Sequence, residues 1–365
     1  MEDRCALSQA GSKARRGKGW LAAALVAGAA MMGGFAGDAA AQDKKHRWKM
    51  ASVFPSGLAH FGPVGMRFAD QVTAITGGSV NIRFYEPGAL VPPAQTFDAV
   101  SKGGVDAAYH SAGFTIGKFP MVAVFSTVPF GPSAGAYLAW YRFGGGREMH
   151  DALYASHNVK GMNCWMLSPE AGGWFRKEIK TVEDLKGLKM RIAGYAGNVM
   201  QKFGVSAQMM AGGDIYPALE RGTLDATEFS MPVVDLGAGF HQIAKHYYLP
   251  GWHQQATFHE LLVNMDKWKA LSDTQRIQIE AACDASLLHS YADAEATNFK
   301  ALAEIKKKGV QVHTFSPEIL DALRKAWEET AAELSAQSAD FKKAYDSLNE
   351  FRRNYDTWAS AAYLR

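Results

Sequence analysis

The sequence contains few cysteines and carries almost no net charge. Only three cysteines occur in 365 residues, and the formal net charge is +3 at pH 7. No two cysteines have C-x-x-C spacing, so this redox motif is absent from the sequence. The near-neutral charge provides no basic stripe of the kind that binds nucleic acid. Beyond one apolar run near the amino terminus, no stretch is apolar enough to cross a membrane.

The amino-terminal segment has the pattern of a secretory signal peptide. A basic stretch ends at Lys18, an apolar run covers 20–32, and the alanines at 39–41 match an A-x-A cleavage pattern. We therefore expect residues 1–41 to be removed and the protein to be exported to the periplasm, with a membrane anchor as the alternative. Arg15-Arg16 leaves twin-arginine export open beside the general secretory route. Cleavage would lower the net charge to +1, because five basic and three acidic residues leave.

Two cysteines, Cys164 and Cys283, remain in the mature chain. In an oxidising compartment they could form a disulfide. They lie far apart in the sequence, so buried free thiols are the favoured interpretation, and pairing stays open.

Strand and helix patterns alternate along the mature chain. Strands are predicted at 49–54, 80–85 and 105–109, and apolar residues between them recur at helical spacing. This alternation predicts an α/β fold with a parallel sheet covered by helices on both faces. A second α/β stretch begins near Gly161, and its strand at 188–192 leads into a glycine-rich turn. Ligands of such sheets bind beyond the carboxyl ends of the strands.

The carboxyl-terminal part is predicted to be mainly helical. Ser272 and Gln275 form a capping box, which predicts a long helix that ends near Lys307. Neither glycine nor proline occurs from 318 to 365. Apolar and aromatic residues recur there at three- and four-residue spacing, namely Phe341, Tyr345, Leu348, Phe351, Tyr355 and Trp358. The stripe fits a helix packed on its own domain or a helix docked on a partner subunit.

Arg191 is the most informative residue, because it leaves a predicted strand and precedes glycines at 194 and 197. A guanidinium can bind a carboxylate through two parallel hydrogen bonds, and glycines let a ligand approach closely. A second small-residue turn and a short helix then lead to Glu228. This layout favours capture of a small organic acid over a reaction on it. We expect Arg191→Ala to abolish ligand binding without unfolding the protein; the alternative is a surface arginine.

Seven segments carry a resemblance to a known family. They are 85–100, 128–131 (Val-Pro-Phe-Gly), 172–179 (beginning Gly-Gly-Trp-Phe), 190–192, 212–219, 222–228 and 247–252 (Tyr-Tyr-Leu-Pro-Gly-Trp). Together they resemble the periplasmic solute-binding proteins of tripartite ATP-independent periplasmic (TRAP) transporters, the DctP family. The sequence looks closest to the subgroup that binds 2-oxo acids and related monocarboxylates.

The resemblance implies a two-lobed periplasmic binding protein fold with a long hinge-spanning helix and a long C-terminal helix. Lobe I would comprise 42–160 and about 245–285, lobe II 161–244 and about 286–330, and the C-terminal helix 331–365. Substrate would lie between the lobes, and the loaded protein would deliver it to a sodium-driven membrane permease. In the similar subgroup the C-terminal helix is exchanged between two subunits, which favours a homodimer.

The resemblance also implies a set of site residues. Arg191 would bind the substrate carboxylate, while Glu228 and the carbonyl of Phe229 would hold a Na⁺ or Ca²⁺ ion that bridges to it; no covalent cofactor is implied. The related binders have Glu-Trp where this sequence has Glu228-Phe229. Glu170 stands for an expected glutamine and Gln254 for an expected glutamate, so the number of carboxylates is unchanged. Glu170, Glu228 and Gln254 are therefore predicted to form the cation shell, with loop polarity or a structural ion pair as the alternative.

Three further aromatic residues could shape the cleft. Phe114 lies where relatives have a tyrosine that holds the substrate, and loss of that hydroxyl makes the pocket more apolar. Together with Phe229 this favours an acid bulkier or more apolar than pyruvate, such as an aromatic 2-oxo or 2-hydroxy acid. Tyr195 and Trp252 could wall the cleft. Each of these residues could instead be part of the core.

A periplasmic serine esterase is the alternative function. Residues 131–135 match the G-x-S-x-G nucleophile elbow around Ser133. Residues in hydrolase order follow, namely Asp225 or Glu228 and then His246 or His253. Because Pro132 fits such an elbow poorly and Ser133 is better explained as a helix N-cap, no enzymatic activity is expected.

Four histidines cluster in the sequence without a metal-binding pattern. They occur at 241, 246, 253 and 259 and lack zinc spacing such as H-E-x-x-H. Structural or surface roles are therefore expected for all four.

Overall fold

Eleven strands form two mixed sheets in the computed structural model, which describes residues 44–364. In chain order they are β1 His46–Ser52, β2 Val80–Tyr85, β3 Ala107–His110, β4 Val159–Leu167, β5 Gly173–Phe175, β6 Lys189–Arg191, β7 Ser206–Gln208, β8 Ala226–Thr227, β9 His246–Leu249, β10 Thr257–Asn264 and β11 Gln311–Thr314. The first sheet has the order β2-β1-β3-β10-β4, and the second β11-β9-β5-β8-β6-β7.

Helices pack on both sheets. They are α1 Phe61–Ile75, α2 Thr96–Ser101, α3 Val122–Ser126, α4 Ala134–Phe143, α5 Gly146–Ala155, α6 Ala196–Gln201, α7 Gly212–Glu220, α8 Pro232–Ala238, α9 Met265–Lys269, α10 Asp273–Lys307, α11 Pro317–Gln337 and α12 Ala339–Ala362. None of these helices is both long and apolar enough to cross a bilayer. The predicted signal peptide lies outside the described residues.

The expected parallel sheets are wrong in part, because both sheets are mixed. β1 pairs in parallel with β2 and β3, whereas β10 runs antiparallel to β3 and β4. In the second sheet β5 is antiparallel to β8 and β9. Strand–helix alternation implies parallel crossovers only within one sheet. β10 enters the first sheet from the second, so the alternation does not determine its direction.

Two linkers carry the chain between the sheets and lie side by side. The segment 168–172 joins β4 to β5, and 250–256 joins β9 to β10. The amide of Glu170 donates to the carbonyl of Gln254 (3.0 Å), and the amide of Gly251 donates to the carbonyl of Glu170 (2.9 Å). A Cβ at Gly251 would lie 2.3 Å from that Glu170 oxygen, so the close approach requires glycine.

These linkers differ from the boundaries expected from the sequence. β4 belongs to the first sheet, although the expected boundary at 160 assigned it to lobe II. β9 belongs to the second sheet, although the boundary near 245 assigned it to lobe I. Hydrophobic patterns in the sequence predict strands, but they do not show which sheet each strand joins.

Cys164 and Cys283 form a disulfide, so the favoured expectation of free thiols is wrong. The register between β4 and β10 shifts at His259 and Glu260, which face Trp165 and Asn163 and leave Cys164 as the extra residue of a bulge. The disulfide joins this bulge to the middle of α10. A separation of 119 residues in sequence does not limit the distance in the fold.

The capping box predicted for α10 is confirmed. Ser272 Oγ accepts from the amide of Gln275 (3.2 Å), Gln275 Oε1 accepts from the amide of Ser272 (3.0 Å), and the helix ends at Lys307. The carboxyl-terminal region forms two helices, so the expected boundary at 331 lies inside α11. Ser338 ends α11 with φ −138° and caps α12 by accepting from the Phe341 amide. A serine N-cap can thus interrupt a helical pattern without glycine or proline.

The first turns of α12 pack on the same chain. Phe341, Ala344 and Leu348 are buried, and α12 contacts α3, α4, α5 and α11. Farther along the helix, Trp358 is 61% exposed. The predicted stripe therefore faces its own lobe at one end and solvent at the other.

Candidate functional site

Arg191 and Glu228 meet at the carboxyl ends of two neighbouring parallel strands. β6 ends at Arg191, and β8 pairs with it so that Arg191 faces Thr227. The amide of Glu228 donates to the carbonyl of Arg191 at 2.9 Å, which fixes the two residues side by side. This is the edge at which parallel sheets bind ligands.

The guanidinium of Arg191 is held on one side and leaves Nη2 without an oxygen partner. Nη1 donates to the carbonyl of Glu228 (2.5 Å) and to its Oε2 (3.1 Å), and Nε donates to the carbonyl of Met210 (3.3 Å). Nη2 contacts only Met209 Sδ, at 3.7 Å, among the residues that the structure describes. Arg191 is 3% exposed and lies 5.2 Å from the centre of the Phe229 ring. The hydrogens of Nη2 are therefore those that an acid in the cleft can use.

Glu228 is a fully buried carboxylate that its partners keep ionised. Burial by itself would raise its pKa, but the charges of His253 and Arg191, together with the hydrogen bond from the Ala193 amide, lower the pKa to about 2. Oε2 accepts from Ala193 N at 3.1 Å, and Oε1 lies 3.3 Å from His253 Nε2 without a hydrogen bond.

Glu170 projects from the linker between the sheets into the same site. Its Oε1 accepts from Gln254 Nε2 (3.0 Å), and its Oε2 has no hydrogen-bond partner in the described part of the chain. Burial, and then the charges of Glu228 and Asp235, raise the pKa of Glu170 well above its usual value. Gln254 also donates to Thr257 Oγ1 (2.9 Å), which fixes its amide.

Three buried side chains can hold a metal ion. Glu170, Glu228 and His253 each offer one ligand atom, and these atoms lie within 4.8 Å of one another. The unpaired buried oxygens of Glu170 and Glu228 fit a hard cation, which prefers oxygen ligands. Gln254 adjoins this group through its hydrogen bond to Glu170.

Two of the four histidines lie at the cleft, and the structural or surface role expected for all four stays a prediction. His253 is 1% exposed and faces Glu228. His259 lines the cleft and stacks on Phe54 at 4.8 Å, and burial lowers its pKa to about 3, so the ring is neutral. The sequence contained one indication that His253 lies at the site, because it directly precedes Gln254, which was predicted to be part of the cation shell. No spacing pattern marks either residue.

The cleft around Arg191 is mainly apolar. Its open space, including the part that reaches solvent, is about 550 Å³. The apolar lining includes Phe54, Phe61, Phe114, Met209, Met210 and Phe229. Phe114 and Phe229 thus line the same space as Arg191, and their contact with a substrate stays a prediction.

Tyr195 and Trp252 differ in their relation to this cleft. Tyr195 lines an adjoining pocket that shares Ser111, Ala193 and Gln254 with the cleft, and its hydroxyl donates to the Pro120 carbonyl (3.3 Å). Trp252 lines neither space. It is 2% exposed and packs on Phe130 with ring centres 5.7 Å apart, so it is a core residue and not a cleft wall.

The residues of the alternative esterase do not form a catalytic group. Ser133 is exposed at the N-cap position of α4, and no hydrogen bond joins its hydroxyl to a histidine within residues 44–364. His253 faces Glu228, and His246 Nδ1 lies 3.0 Å from His313 Nε2. The N-cap position is as expected, although the Ser133 hydroxyl makes no capping hydrogen bond.

Comparison with known proteins identifies the family. The model of bacterial extracellular solute-binding proteins, family 7 (DctP), matches residues 51–338. The chain belongs to this family. Its members are solute receptors of TRAP transporters, and the two-lobed architecture matches their solved structures.

Three similar proteins span most of the chain. The monocarboxylate 2-oxoacid-binding periplasmic protein of a Nostoc species is 37% identical over 86% of this chain and 85% of that protein. A TRAP solute-binding protein from Bordetella bronchiseptica, a mixed-occupancy dimer solved with calcium and picolinate, is 36% identical with a TM-score of 0.85 over 87% of this chain and 95% of that one. One from Pseudoalteromonas atlantica, solved with sodium and pyruvate, is 32% identical with a TM-score of 0.84 over 87% and 97%.

Proposed function

We propose that this protein is the periplasmic receptor of a TRAP transporter that captures a 2-oxo or 2-hydroxy monocarboxylate in its cleft and delivers it to the membrane permease. The observation that carries the proposal is Arg191 Nη2, which has no oxygen partner among residues 44–364 and belongs to a side chain that pairs with the buried Glu228. An acid bound there accepts charge-assisted hydrogen bonds from Nη2. No covalent step follows from this arrangement, so the protein acts as a binding protein and not as an enzyme.

A Na⁺ or Ca²⁺ ion completes the site by bridging the acid to Glu228 and Glu170. Without a cation, the carboxylate of the acid would lie next to two carboxylates of the protein. The positive charge of Arg191 would then have to offset three negative charges. The calcium and sodium found with the carboxylate ligands of two relatives support this arrangement. The carbonyl of Phe229 and the side chain of Gln254 are the further oxygen ligands that we assign to the ion.

The body of the acid is apolar and larger than that of pyruvate. Phe114 and Phe229 supply ring surfaces without hydroxyl groups, and Met209 and Met210 supply adaptable apolar contacts. An aromatic 2-oxo or 2-hydroxy acid fits this lining. The picolinate bound by the Bordetella relative is also an aromatic acid with its carboxylate next to a ring heteroatom.

Thermal unfolding of residues 42–365 tests the proposal directly. The mature protein is heated with a panel of 2-oxo, 2-hydroxy and aromatic carboxylates, with and without chelator. An acid at about 100 times its dissociation constant should stabilise the folded state by roughly 2.7 kcal/mol. Arg191→Lys should lose this shift, while Arg221→Ala, at an exposed position after α7, should keep it. No shift with any carboxylate would contradict the proposal.

We further infer that two copies form a homodimer. Ile277, Leu288 and Phe299 are 66%, 68% and 65% exposed at eleven-residue intervals, which puts them in one row along α10. Trp358 near the end of α12 is also exposed, and this helix is the one that we propose to dock on the partner. The Bordetella relative described above was solved as a dimer, which supports the inference.

Light scattering during gel filtration tests the dimer. Leu288→Arg places a charge in the middle of the α10 row and should convert the protein to monomers at micromolar concentration. Lys102→Ala, at an exposed position after α2 and outside both α10 and α12, is the control. A monomeric wild-type protein would contradict the inference.

A further inference from the structure

The cation site carries more negative charge than its protein partners balance. Glu170 and Glu228 are 2% and 0% exposed, and each has one carboxylate oxygen without a hydrogen-bond partner among the described residues. The ring nitrogens of His253, 1% exposed, also lack hydrogen bonds. Unpaired polar atoms buried in this way are rare in native folds, so this convergence indicates a bound ion.

Arg191 balances only one of the two carboxylates. Its Nη1 is 3.1 Å from Glu228 Oε2, whereas no lysine or arginine within the described chain lies within 4 Å of the Glu170 carboxylate. A bound acid adds a third negative charge. With its carboxylates ionised and His253 neutral, as a metal-ligating histidine must be, the set of Glu170, Glu228, Arg191 and acid carries a net charge of about −2.

We propose that Glu170 makes this cleft selective for a divalent hard cation, Ca²⁺, over Na⁺. The inference rests on the proposed function, from which it takes the bridging ion. A divalent ion brings the set to neutrality, whereas Na⁺ leaves one negative charge in a buried, weakly screened position. Ca²⁺ also takes several oxygen ligands in flexible geometry, which two carboxylates and an acid can supply.

The position of Glu170 explains why its charge acts on the ion. Its backbone is fixed to the neighbouring linker by hydrogen bonds to Gln254 and Gly251. Its Oε1 is engaged by the Gln254 amide, so Oε2 is the atom left to face the ion. The two relatives described above were solved with either ion, so family membership alone does not determine the choice.

Metal binding with saturating phenylpyruvate present tests the proposal first, because the acid supplies the third negative charge of the set. Residues 42–365 are freed of metal with chelator, transferred to choline chloride, and titrated with CaCl₂ or NaCl at constant ionic strength while heat release and the thermal midpoint are followed. Wild type should respond to Ca²⁺ at concentrations at least about 100-fold lower than to Na⁺. Plasma mass spectrometry of dialysed protein provides a second measure of the bound metal.

Glu170→Gln isolates the charge. The variant has nearly the same shape and retains an oxygen that can accept from Gln254. Its Ca²⁺ dissociation constant should rise by about 100-fold, while its response to Na⁺ should change by less than about threefold. Glu178→Gln makes the same charge change at a site that is 38% exposed and should keep the Ca²⁺ affinity of wild type. Circular dichroism checks that each variant is folded.

The outcomes separate this inference from the proposed function. Equal responses of wild type to the two ions, or unchanged Ca²⁺ affinity of folded Glu170→Gln, would overturn the selectivity. Pyruvate and phenylpyruvate are then added with each ion. Binding of an acid equally well with Na⁺ would overturn the selectivity and leave the proposed function standing. A protein that binds neither acid under any condition would contradict the proposed function and, with it, the selectivity that rests on it.

Discussion

Replacing Arg191 should destabilise the fold as well as weaken acid binding. Arg191 is 3% exposed and pairs with Glu228, which is 0% exposed, at 3.1 Å. Removing one partner of a buried ion pair leaves an uncompensated charge and costs about 3–5 kcal/mol. The expectation that Arg191→Ala leaves the protein folded stays a prediction, with the addition that its free energy of unfolding should be lower than that of wild type. The loss of charge-assisted hydrogen bonds should also weaken acid binding by about 10–100-fold.

A double-variant cycle measures this cost. The free energy of unfolding in urea is determined with chelator for wild type, Arg191→Ala, Glu228→Gln and the double variant. Because the uncharged glutamine no longer needs the guanidinium, the double variant should be more stable than Arg191→Ala by about 1–3 kcal/mol. Saturating Ca²⁺ should recover part of the same loss, since the ion also faces Glu228.

Two results would refute this reasoning. The first is an Arg191→Ala protein whose free energy of unfolding lies within about 0.5 kcal/mol of wild type, the range of ordinary surface substitutions such as Arg221→Ala. The second is strict additivity in the cycle, which would show that Arg191 and Glu228 do not interact in the folded state.

Three further predictions concern the disulfide, a buried carboxyl and the cleft wall. Replacing both Cys164 and Cys283 by serine should lower the free energy of unfolding by up to about 5 kcal/mol, because the disulfide closes a loop with a separation of 119 residues. Urea unfolding of this variant and of wild type, each with and without reductant, checks the prediction. Burial raises the pKa of Asp235 from 3.8 to about 7, so the folded state holds its proton longer than the unfolded state, and stability should fall as pH rises through this range. Asp235→Asn should make the free energy of unfolding less dependent on pH between those values, and an unchanged slope would contradict the assignment. Phe114→Tyr should shift the ratio of the dissociation constants of pyruvate and phenylpyruvate, measured by calorimetry, by about tenfold in favour of pyruvate. A ratio within about twofold of the wild-type ratio would count against a role of Phe114 in the cleft.

Local signals in the sequence predicted local structure well. The capping box at Ser272 and Gln275 uses only neighbouring residues, and α10 begins where it predicts. Arg191 ends β6 and Glu228 follows the neighbouring parallel strand β8, and it was the family resemblance that assigned both residues to one site. In both cases the decisive contacts lie within one helix turn or one strand pair.

Features that depend on the return of the chain from the other sheet could not be predicted in this way. Cys164 reaches Cys283 because a bulge in β4 faces α10, and nothing near either cysteine encodes that approach. His253 enters the site and Trp252 enters the core, although they are neighbours, because the linker between β9 and β10 turns them to different surroundings. The direction of a linker is a tertiary property with no periodic pattern.

The two linkers between the sheets also carry residues of the proposed cation site. Ligand binding at this site is therefore connected to the position of one lobe relative to the other. Glu170 lies on one linker, and His253 and Gln254 lie on the other. Glu228 and Arg191 belong to the second sheet, whereas Phe54 and Phe114 follow strands of the first. A change in the linkers therefore moves Glu170 relative to Glu228. An ion bound by both carboxylates favours the arrangement of the lobes in which the two carboxylates converge over an arrangement in which they are apart. The free energy by which it favours the first arrangement equals the difference between its binding free energies to the two arrangements. An acid bound in the cleft as proposed would contact surfaces of both sheets and would add to the same preference. The cation and the acid thus act as coupled ligands, and each should bind more tightly when the other is present, by the same factor.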